Sequence, residues 1–351
     1  MKNETATYTE VKEYYGQTLD STNDLKTSAC CTNDSIPEHH KKALANIDDE
    51  ILNKFYGCGS PIPENLAGLT VLDLGCGTGR DAYLAAQLVG EKGFVIGVDM
   101  TDEQLEVANR HKENQRQRFG FSKSNIEFKK GFIERLDELD LAPNSIDLVI
   151  SNCVINLSPD KERVFSEIYR VLKPGGELYF SDVFSGRRIP EALRTDPILY
   201  GECLSGALYT EDFRRLMQKI CFTDTRTVSS RRIELNSPDL EQKAGMIDFY
   251  SQTVRAFKLE KLEDICEDYG QIAIYRGTIP EAPHSFFLDD HHIFETGKAY
   301  PVCGNTASML ADTRFGSHFS IIGDTSTHYG PFDCSDAPKE NIGNSSASAC
   351  C

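Results

Sequence analysis

The stretch V-L-D-L-G-C-G-T-G-R-D, residues 71–81, decides the fold. An apolar run leads into Gly75, Gly77 and Gly79, and a helical pattern over residues 80–89 follows them. Glycines at a strand-to-helix turn permit positive φ and let a ligand approach the backbone, while the helix start offers unpaired N–H groups. The stretch therefore predicts a nucleotide-binding turn in an α/β sheet.

A second apolar run, F-V-I-G-V-D, ends in Asp99, which lies 24 residues after Gly75. This is close to the spacing at which a carboxylate accepts hydrogen bonds from ribose hydroxyls. The loop differs from the dinucleotide pattern, because its glycines are spaced G-x-G-x-G and Asp73 precedes them. A pyrophosphate is poorly served by that carboxylate, whereas a positive sulfonium tolerates it. The pattern favours a sulfonium cofactor.

Strand and helix patterns alternate beyond this loop. Strands are predicted at 126–130, 146–151 and 177–183, with a helix from Pro159 to Leu172. Such an alternating order predicts a doubly wound sheet.

The composition narrows the class of protein. The chain has 351 residues, 40% of them hydrophobic, and a formal net charge of −17. The length predicts two or three folding units, and the charge disfavours nucleic acid and anionic lipid as partners. Because neither a membrane span nor a signal peptide is recognisable, we expect a cytoplasmic protein. We also expect a monomer. The 12 cysteines then indicate thiols rather than structural disulfides.

Several motifs together resemble those of the class I S-adenosylmethionine-dependent methyltransferases. They are the glycine loop with Asp99, G-F-I-E-R-L at 131–136 and V-L-K-P-G-G at 171–176. The alternative, a tight turn without a ligand, is disfavoured because the motifs occur in the right order. The resemblance implies that the cofactor contacts Asp73, Gly75, Gly77 and Gly79 with its methionine part, Asp99 and Met100 with its ribose, and Ile133 and Glu134 with its adenine.

The end of the fourth strand indicates the methyl acceptor. In S-N-C-V-I-N-L, residues 151–157, Cys153 falls on the turn where α/β enzymes usually keep their chemistry. No histidine lies between His111 and His284, so an obvious general base is missing. Trivalent arsenic needs none, because it attacks through a lone pair, and as a soft element it prefers thiolate sulfur.

Four cysteine motifs resemble those of the arsenite methyltransferase family. They are T-S-A-C at 27–30, F-Y-G-C-G at 55–59, V-I-S-N-C-V-I-N-L at 149–157 and Y-G-E-C-L-S-G-A-L-Y at 200–209. The resemblance extends from about residue 8 to residue 275 and more faintly beyond.

The resemblance assigns the cysteines their roles. Cys153 and Cys203 are implied to hold arsenic, Cys58 to be the third arsenic ligand and redox partner, and Cys30 to complete a disulfide relay. Cys31 follows Cys30, so which of the two acts stays open. Tyr56 resembles the family tyrosine that covers the cofactor, with simple aromatic packing as the alternative. For every cysteine the alternative is a small buried hydrophobe.

The implied activity is S-adenosylmethionine-dependent methylation of arsenite to mono- and dimethylated arsenicals, serving detoxification. Arsenite or its glutathione conjugate is the expected substrate, and thioredoxin or glutathione the expected reductant. Two other functions compete with this one. The first is a carbon methyltransferase acting on a sterol or quinone-like lipid. The second is a thiol-rich metalloid buffer that uses the pairs at 30–31 and 350–351.

The domain organisation follows from these motifs. We expect a mobile N-terminal segment over 1–45, a cofactor-binding domain over 46–235, an arsenic-site cap with the last strand over 236–285, and a C-terminal region over 286–351. The other cysteines receive no chemistry: Cys76, Cys221 and Cys266 are interpreted as packing or surface residues, and Cys303 and Cys334 as isolated.

Overall fold

Eight strands within the described residues form one mixed sheet. The computed structural model describes residues 36–334, apart from 56, 58, 195, 197, 198, 200–202 and 237. The strands of the sheet are β1 (Thr70–Leu74), β2 (Phe94–Asp99), β3 (Ile126–Lys130), β4 (Ile146–Asn152), β5 (Leu172–Ser185), β6 (Leu208–Tyr209), β7 (Thr225–Arg232) and β8 (Phe249–Phe257). Their order is β3-β2-β1-β4-β5-β8-β7, with β6 paired to β5.

The strand order reverses between β1 and β4. These strands are parallel, and Leu74 at the end of β1 pairs with Ser151 near the end of β4. The turns that follow the two strands therefore lie side by side at one edge of the sheet. Ligands of open α/β sheets bind at such a switch point.

Helices cover both faces of the sheet. They are α1 (Glu38–Leu44), α2 (Asp49–Asn53), α3 (Arg80–Val89), α4 (Asp102–Arg110), α5 (Lys112–Phe119), α6 (Lys161–Val171), α7 (Glu191–Arg194) and α8 (Thr210–Lys219). Because side chains alternate along a strand, Val71 packs with Tyr83 of α3, whereas Leu72 belongs to the opposite core with Phe165 of α6. Two cores on two faces confirm the doubly wound sheet that the sequence predicted.

The predicted cap segment, 236–285, divides between three parts of the fold. Its first part contains helix α9 (Pro238–Ala244), which packs over the turn that carries Cys153. Residues 249–257 instead form β8, which pairs antiparallel with β5 inside the main sheet. Residues 271–275 belong to a separate C-terminal sheet. The residues of this segment that share a cluster with Cys153 and Cys203 are Leu240, Ala244, Ile247 and Phe249.

The C-terminal part has its own small sheets and core. Its elements are β9 (Glu267–Asp268), β10 (Gln271–Tyr275), β11 (Ser285–Phe287), β12 (Ile293–Glu295), β13 (Ala299–Val302), helix α10 (Gly304–Ala311), β14 (Phe319–Ile322) and β15 (Gly330–Pro331). Strands β13, β10 and β14 form an antiparallel sheet. Its aromatic core includes Phe286, Phe294 and Phe315, and it also contains Phe257 from the end of β8.

A buried ion-pair network joins this C-terminal part to the main sheet. Glu177 of β5 is fully buried and accepts a hydrogen bond of 2.7 Å from Nε of Arg255 in β8. Its second carboxylate oxygen accepts from Arg314, which follows α10. One buried carboxylate therefore serves guanidinium groups from both parts of the chain. Within the described ranges, no helix combines the length and apolar character that a membrane crossing requires.

Candidate active site

The glycine loop after β1 requires glycine on geometric grounds. Gly75, Gly77 and Gly79 have φ values of 72°, 52° and 92°, in the left-handed region that side chains with a Cβ rarely adopt. A Cβ at Gly75 would also overlap the side chain of Val154, on the turn after β4. The two turns at the switch point therefore touch because a glycine is present.

Asp99 at the end of β2 holds this loop in place. Its Oδ2 accepts a hydrogen bond of 2.9 Å from the backbone N–H of Gly77, and its Oδ1 accepts one of 2.8 Å from Thr101. Burial raises the pKa of Asp99, while these hydrogen bonds oppose the rise. A carboxylate oxygen can accept more than one hydrogen bond, so acceptor positions remain for ribose hydroxyls.

A cavity opens at the carboxyl ends of β1, β2 and β4. Among the predicted cofactor residues, those that line it are Asp73, Gly75, Gly77, Asp99, Met100, Ile133 and Glu134. Cys153 also lines it. Gly79 does not; it lies behind the loop as the N-terminal capping residue of α3. The structure thus brings the predicted cofactor site and the first predicted arsenic thiol to one cavity.

Asp73 tests whether this cavity fits S-adenosylmethionine. Its side chain is 2% exposed, and its Oδ2 has no hydrogen-bond partner among the described residues. Burial, together with the charges of Asp81 and Asp99, raises the pKa of Asp73 well above its ordinary value. An ammonium or sulfonium cation would relieve this accumulation of carboxylates, whereas a pyrophosphate would worsen it. The residues therefore fit S-adenosylmethionine.

The predicted adenine residues offer one apolar and one polar contact. Ile133 is 8% exposed and presents an apolar surface to the cavity. The buried carboxylate of Glu134 accepts a hydrogen bond from the hydroxyl of Ser158, and its backbone carbonyl accepts one of 2.7 Å from Arg163. Glu134 is thereby fixed from the helix that follows β4.

The two predicted arsenic thiols meet although they are far apart in sequence. The sulfur of Cys203 lies 3.3 Å from the backbone carbonyl oxygen of Cys153. Cys153 is 5% exposed and Cys203 is 4% exposed. Their φ values are 55° and 60°, a conformation that costs about 1–2 kcal/mol for a residue with a Cβ. Cys153 is disulfide-bonded, whereas Cys203 retains its thiol.

An apolar shell surrounds both cysteines. Met100 packs against it from the cofactor side, and Leu240 and Ala244 of α9 contribute from the cap. The other members of the shell are Leu157, Val183, Ile189, Leu193, Leu199, Leu204, Ala207, Ile233, Leu235, Ile247 and Phe249. Such a lining leaves both cysteines almost fully buried among apolar side chains.

The glycines on either side of position 58 pack against the end of β4. Nδ2 of Asn152 donates hydrogen bonds to the carbonyl oxygen of Gly59, at 3.1 Å, and to Asp81, at 2.8 Å. A Cβ at Gly57 would lie 2.6 Å from that same amide nitrogen. Gly57 and Gly59 are therefore anchored beside Asn152, the residue that precedes Cys153. The predicted residues Tyr56, Cys58, Cys30 and Cys31 lie outside the described residues.

Two ionisable residues near Cys203, the buried Asp182 and the half-buried Lys161, received no role from the sequence. Asp182 accepts backbone hydrogen bonds from Asn156, at 3.0 Å, and from Val183, at 2.8 Å. Burial raises the pKa of Asp182 to about 7 and lowers that of Lys161 to about 8. The charges of Asp182 and Cys203 both favour the ammonium form of Lys161. The signal for Asp182 was present in G-G-E-L-Y-F-S-D-V, but its partner lies on α6.

Two further residues, Cys76 and His292, make contacts of their own. Cys76 is buried in the glycine loop, and burial raises the pKa of its thiol well above the ordinary value, which suits a packing role. Nδ1 of His292 lies 2.7 Å from Oδ1 of Asp289. Across the part of the chain that the structure describes, no group of three or more His, Cys, Asp or Glu residues is arranged to hold a metal ion.

Comparisons with known proteins cover both parts of the chain. Residues 65–220 match the methyltransferase domain family, and residues 269–347 match the family described as arsenite methyltransferase C-terminal domain. The second match begins within the predicted cap segment, before the predicted C-terminal region at 286.

Whole-length relatives agree with these two matches. An arsenite methyltransferase of Aquipseudomonas alcaligenes is 54% identical over 323 residues, which cover 92% of this chain and 93% of that protein. The arsenite methyltransferase of Homo sapiens is 43% identical over 315 residues, 89% of this chain and 83% of that one. The crystal structure of an arsenic(III) S-adenosylmethionine methyltransferase from Chlamydomonas reinhardtii superposes with a TM-score of 0.83 at 54% identity, covering 85% of this chain and 100% of that chain.

Proposed function

The chain belongs to the arsenite methyltransferase family, and we propose that it methylates trivalent arsenic with S-adenosylmethionine, holding the arsenic on Cys153 and Cys203. One observation carries the assignment of the thiols. Cys153 lines the cofactor cavity and also lies in the buried apolar shell that contains Cys203. A metalloid bound to both sulfurs would therefore face the cofactor in a site without water.

Residues of the main sheet hold the cofactor. Asp73 faces its cationic part, the turn from Gly75 to Gly77 admits it against the backbone, and Asp99 accepts from its ribose hydroxyls. Ile133 and Glu134 flank its adenine. When bound, S-adenosylmethionine supplies an electrophilic methyl group. The fixed loop positions that group relative to Cys153, and alignment of this kind can lower a barrier by up to about 7–11 kcal/mol.

The cysteines supply the arsenic ligands. Arsenite condenses with three thiols to give a neutral As(SR)3 and three waters, and the apolar shell favours the loss of those waters. Cys153 and Cys203 provide two sulfurs, and Cys58, whose neighbouring glycines pack beside Asn152, provides the third. Arsenic attacks through its lone pair, so no proton has to be removed from it. A negative charge on Cys203 would favour the ammonium form of Lys161.

A disulfide relay restores the trivalent state. Methyl transfer leaves arsenic formally pentavalent, and oxidation of two cysteine thiols to one disulfide returns two electrons to it. The disulfide at Cys153 supports this relay, with Cys58 and Cys30 or Cys31 as its other members. A thioredoxin-type dithiol or glutathione resets the enzyme by thiol–disulfide exchange. That exchange places the enzyme in a reducing compartment such as the cytoplasm.

Labelled cofactor tests this proposal directly. Methyl from S-adenosylmethionine should appear on arsenic only when arsenite and a thiol reductant are both present. In the same assay, Cys221→Ser is the matched control for serine variants of Cys153 and Cys203 and should stay active. Cys221 also has a positive φ, of 76°, but it is exposed. Label that appears on a quinone or sterol, or arsenite binding without any methyl transfer, would refute the proposed reaction.

A further inference from the structure

Three cysteines that are isolated in the sequence meet in the C-terminal part. Cys266 precedes β9 and Cys334 follows β15, and the backbone N–H of Phe332 extends their ladder with a hydrogen bond of 2.8 Å to the carbonyl of Cys266. Cys303 is the N-terminal capping residue of α10. The side chain of Cys266 lies close enough to those of Cys303 and Cys334 to interact with both. Cys266 is thus the centre of a thiol cluster.

The surroundings of Cys303 favour its thiolate. Its sulfur accepts a hydrogen bond of 3.4 Å from the backbone N–H of Thr306 and lies 3.9 Å from Nη2 of Arg226. The guanidinium is held there by Asp224, at 2.7 Å, and by Asp289, at 3.3 Å. The hydrogen bond from Cys266 lowers the pKa of Cys303, and the charge of Arg226 adds to this against the effect of burial. A helix N-terminus with a nearby arginine activates a cysteine in this way.

The cluster is reachable from solvent on one side. Cys303 is fully buried, whereas Cys266 and Cys334 are partly exposed. A ligand held by the sulfurs of Cys266 and Cys303 needs only two donors. A soft element that bonds to two thiols meets this condition.

We propose that Cys266 and Cys303 form a second arsenical site, which binds a singly substituted trivalent arsenical through two arsenic–sulfur bonds. The reaction balances without an oxidant: CH3As(OH)2 and two thiols give CH3As(SR)2 and two waters, and arsenic stays trivalent. The inference rests on the proposed function for its ligand class, since monomethylated arsenic is a product of that reaction. The site would retain this product away from the cofactor cavity.

Phenylarsine oxide, which joins two thiols with loss of one water, is the probe. The reduced full-length chain and its variants are titrated with it, and the number bound is read from the intact mass. Cys266→Ser and Cys303→Ser should each bind one molecule of phenylarsine oxide fewer per chain than the natural chain does. Serine is a favoured helix cap, so Cys303→Ser preserves the start of α10. Cys221→Ser and Cys334→Ser should lose none.

A second background removes the competing thiols. The full-length chain with serine at Cys30, Cys31, Cys58, Cys153, Cys203, Cys350 and Cys351 should still bind one equivalent, and adding Cys303→Ser should abolish it. The inference is overturned if Cys266→Ser and Cys303→Ser bind as much as the natural chain. It is also overturned if Cys334→Ser is the single variant that binds one molecule of phenylarsine oxide fewer. A Cys266–Cys303 disulfide that forms while no arsenical binds would overturn it as well.

The two proposals fail separately. Methyl transfer to saturating arsenite should be the same for Cys266→Ser and the natural chain, because Cys266 lies outside the cofactor cavity. Absence of methyl transfer by the natural chain would refute the proposed function. It would leave the count of bound phenylarsine oxide, and therefore the second site, unaffected.

Discussion

The sulfur of Cys203 lies 3.3 Å from the backbone carbonyl oxygen of Cys153, although 50 residues separate the two in the chain. Both residues have a left-handed backbone, with φ of 60° and 55° respectively. Strained backbone of this kind persists only where the surrounding structure enforces it. The backbones of Cys153 and Cys203 are therefore positioned by the fold before any metalloid binds.

Cys153→Ser and Cys203→Ser should each abolish methylation of both arsenite and monomethylated trivalent arsenic. A hydroxyl is a hard, weak donor to arsenic, and this pair is needed in every round. Product speciation by chromatography with arsenic-specific detection measures the outcome. S-Adenosylmethionine binding should survive in both variants, and turnover of either substrate by either variant would contradict the prediction.

Cys58→Ser should lose the first methylation but retain activity on the monomethylated substrate. Arsenite offers three positions to sulfur and monomethylated arsenic offers two, so the third thiol matters only at the first stage. The double variant Cys30→Ser/Cys31→Ser should behave in the same way, because either cysteine can replace the other. If the Cys58 variant fails equally on both substrates, this division of roles is wrong.

Asp99→Ala should weaken S-adenosylmethionine binding by about 1.5–3 kcal/mol, because it removes a charged acceptor that also holds the N–H of Gly77. Isothermal calorimetry measures the dissociation constant. Asp102→Ala is a matched control, since Asp102 is exposed on α4 and pairs with Lys130. An unchanged dissociation constant for Asp99→Ala would remove Asp99 from the cofactor site.

Asp182→Asn should change how stability depends on pH. The pKa of Asp182 is raised from 3.8 to about 7 in the folded chain, so the folded state binds the proton more tightly than the unfolded state does. Its contribution to stability is fully present below about pH 4 and is lost as the pH rises to about 7. Between about pH 4 and about pH 7, the free energy of unfolding of the variant should therefore rise relative to that of the natural chain.

Chemical unfolding at several pH values tests this expectation. Asp212→Asn is the control, because Asp212 is paired with Arg188 and its pKa is lowered rather than raised. The difference in free energy of unfolding between Asp212→Asn and the natural chain should not change with pH above about pH 4. If the difference in free energy of unfolding between Asp182→Asn and the natural chain is also independent of pH, the folded chain does not raise the pKa of Asp182.

Glu177→Gln should destabilise the chain by about 3–5 kcal/mol, because it leaves the guanidinium groups of Arg255 and Arg314 buried without their counter-charge. Urea unfolding measures the loss. Glu162→Gln breaks an exposed pair with Lys219 and should cost less than about 1 kcal/mol. Equal losses for the two variants would show that the Glu177 network does not join the two parts of the chain.

The cofactor half of the site was predictable from the sequence. A strand, a glycine turn and a helix follow one another in residues 71–89, and their geometry depends on local backbone preferences and on alternation of apolar residues. Asp99 ends the next strand, so its place at the switch point follows from parallel order alone. The cysteine motifs likewise singled out Cys153 and Cys203, and their role as arsenic ligands stays a prediction.

Only the tertiary structure decided which distant groups meet. Lys161 and Asp182 become neighbours of Cys203 because α6 packs beside the end of β5, and no local pattern records that contact. The cluster of Cys266, Cys303 and Cys334 depends on the pairing of β9 with β15 and on where α10 begins. Each of these cysteines is unremarkable in its own segment, since the reactivity of a thiol is set by the charges, N–H groups and sulfurs that the fold brings around it. The sequence determined the strand, glycine turn and helix at residues 70–89 because their geometry is local, and the fold alone determined the thiol cluster because its contacts are long-range.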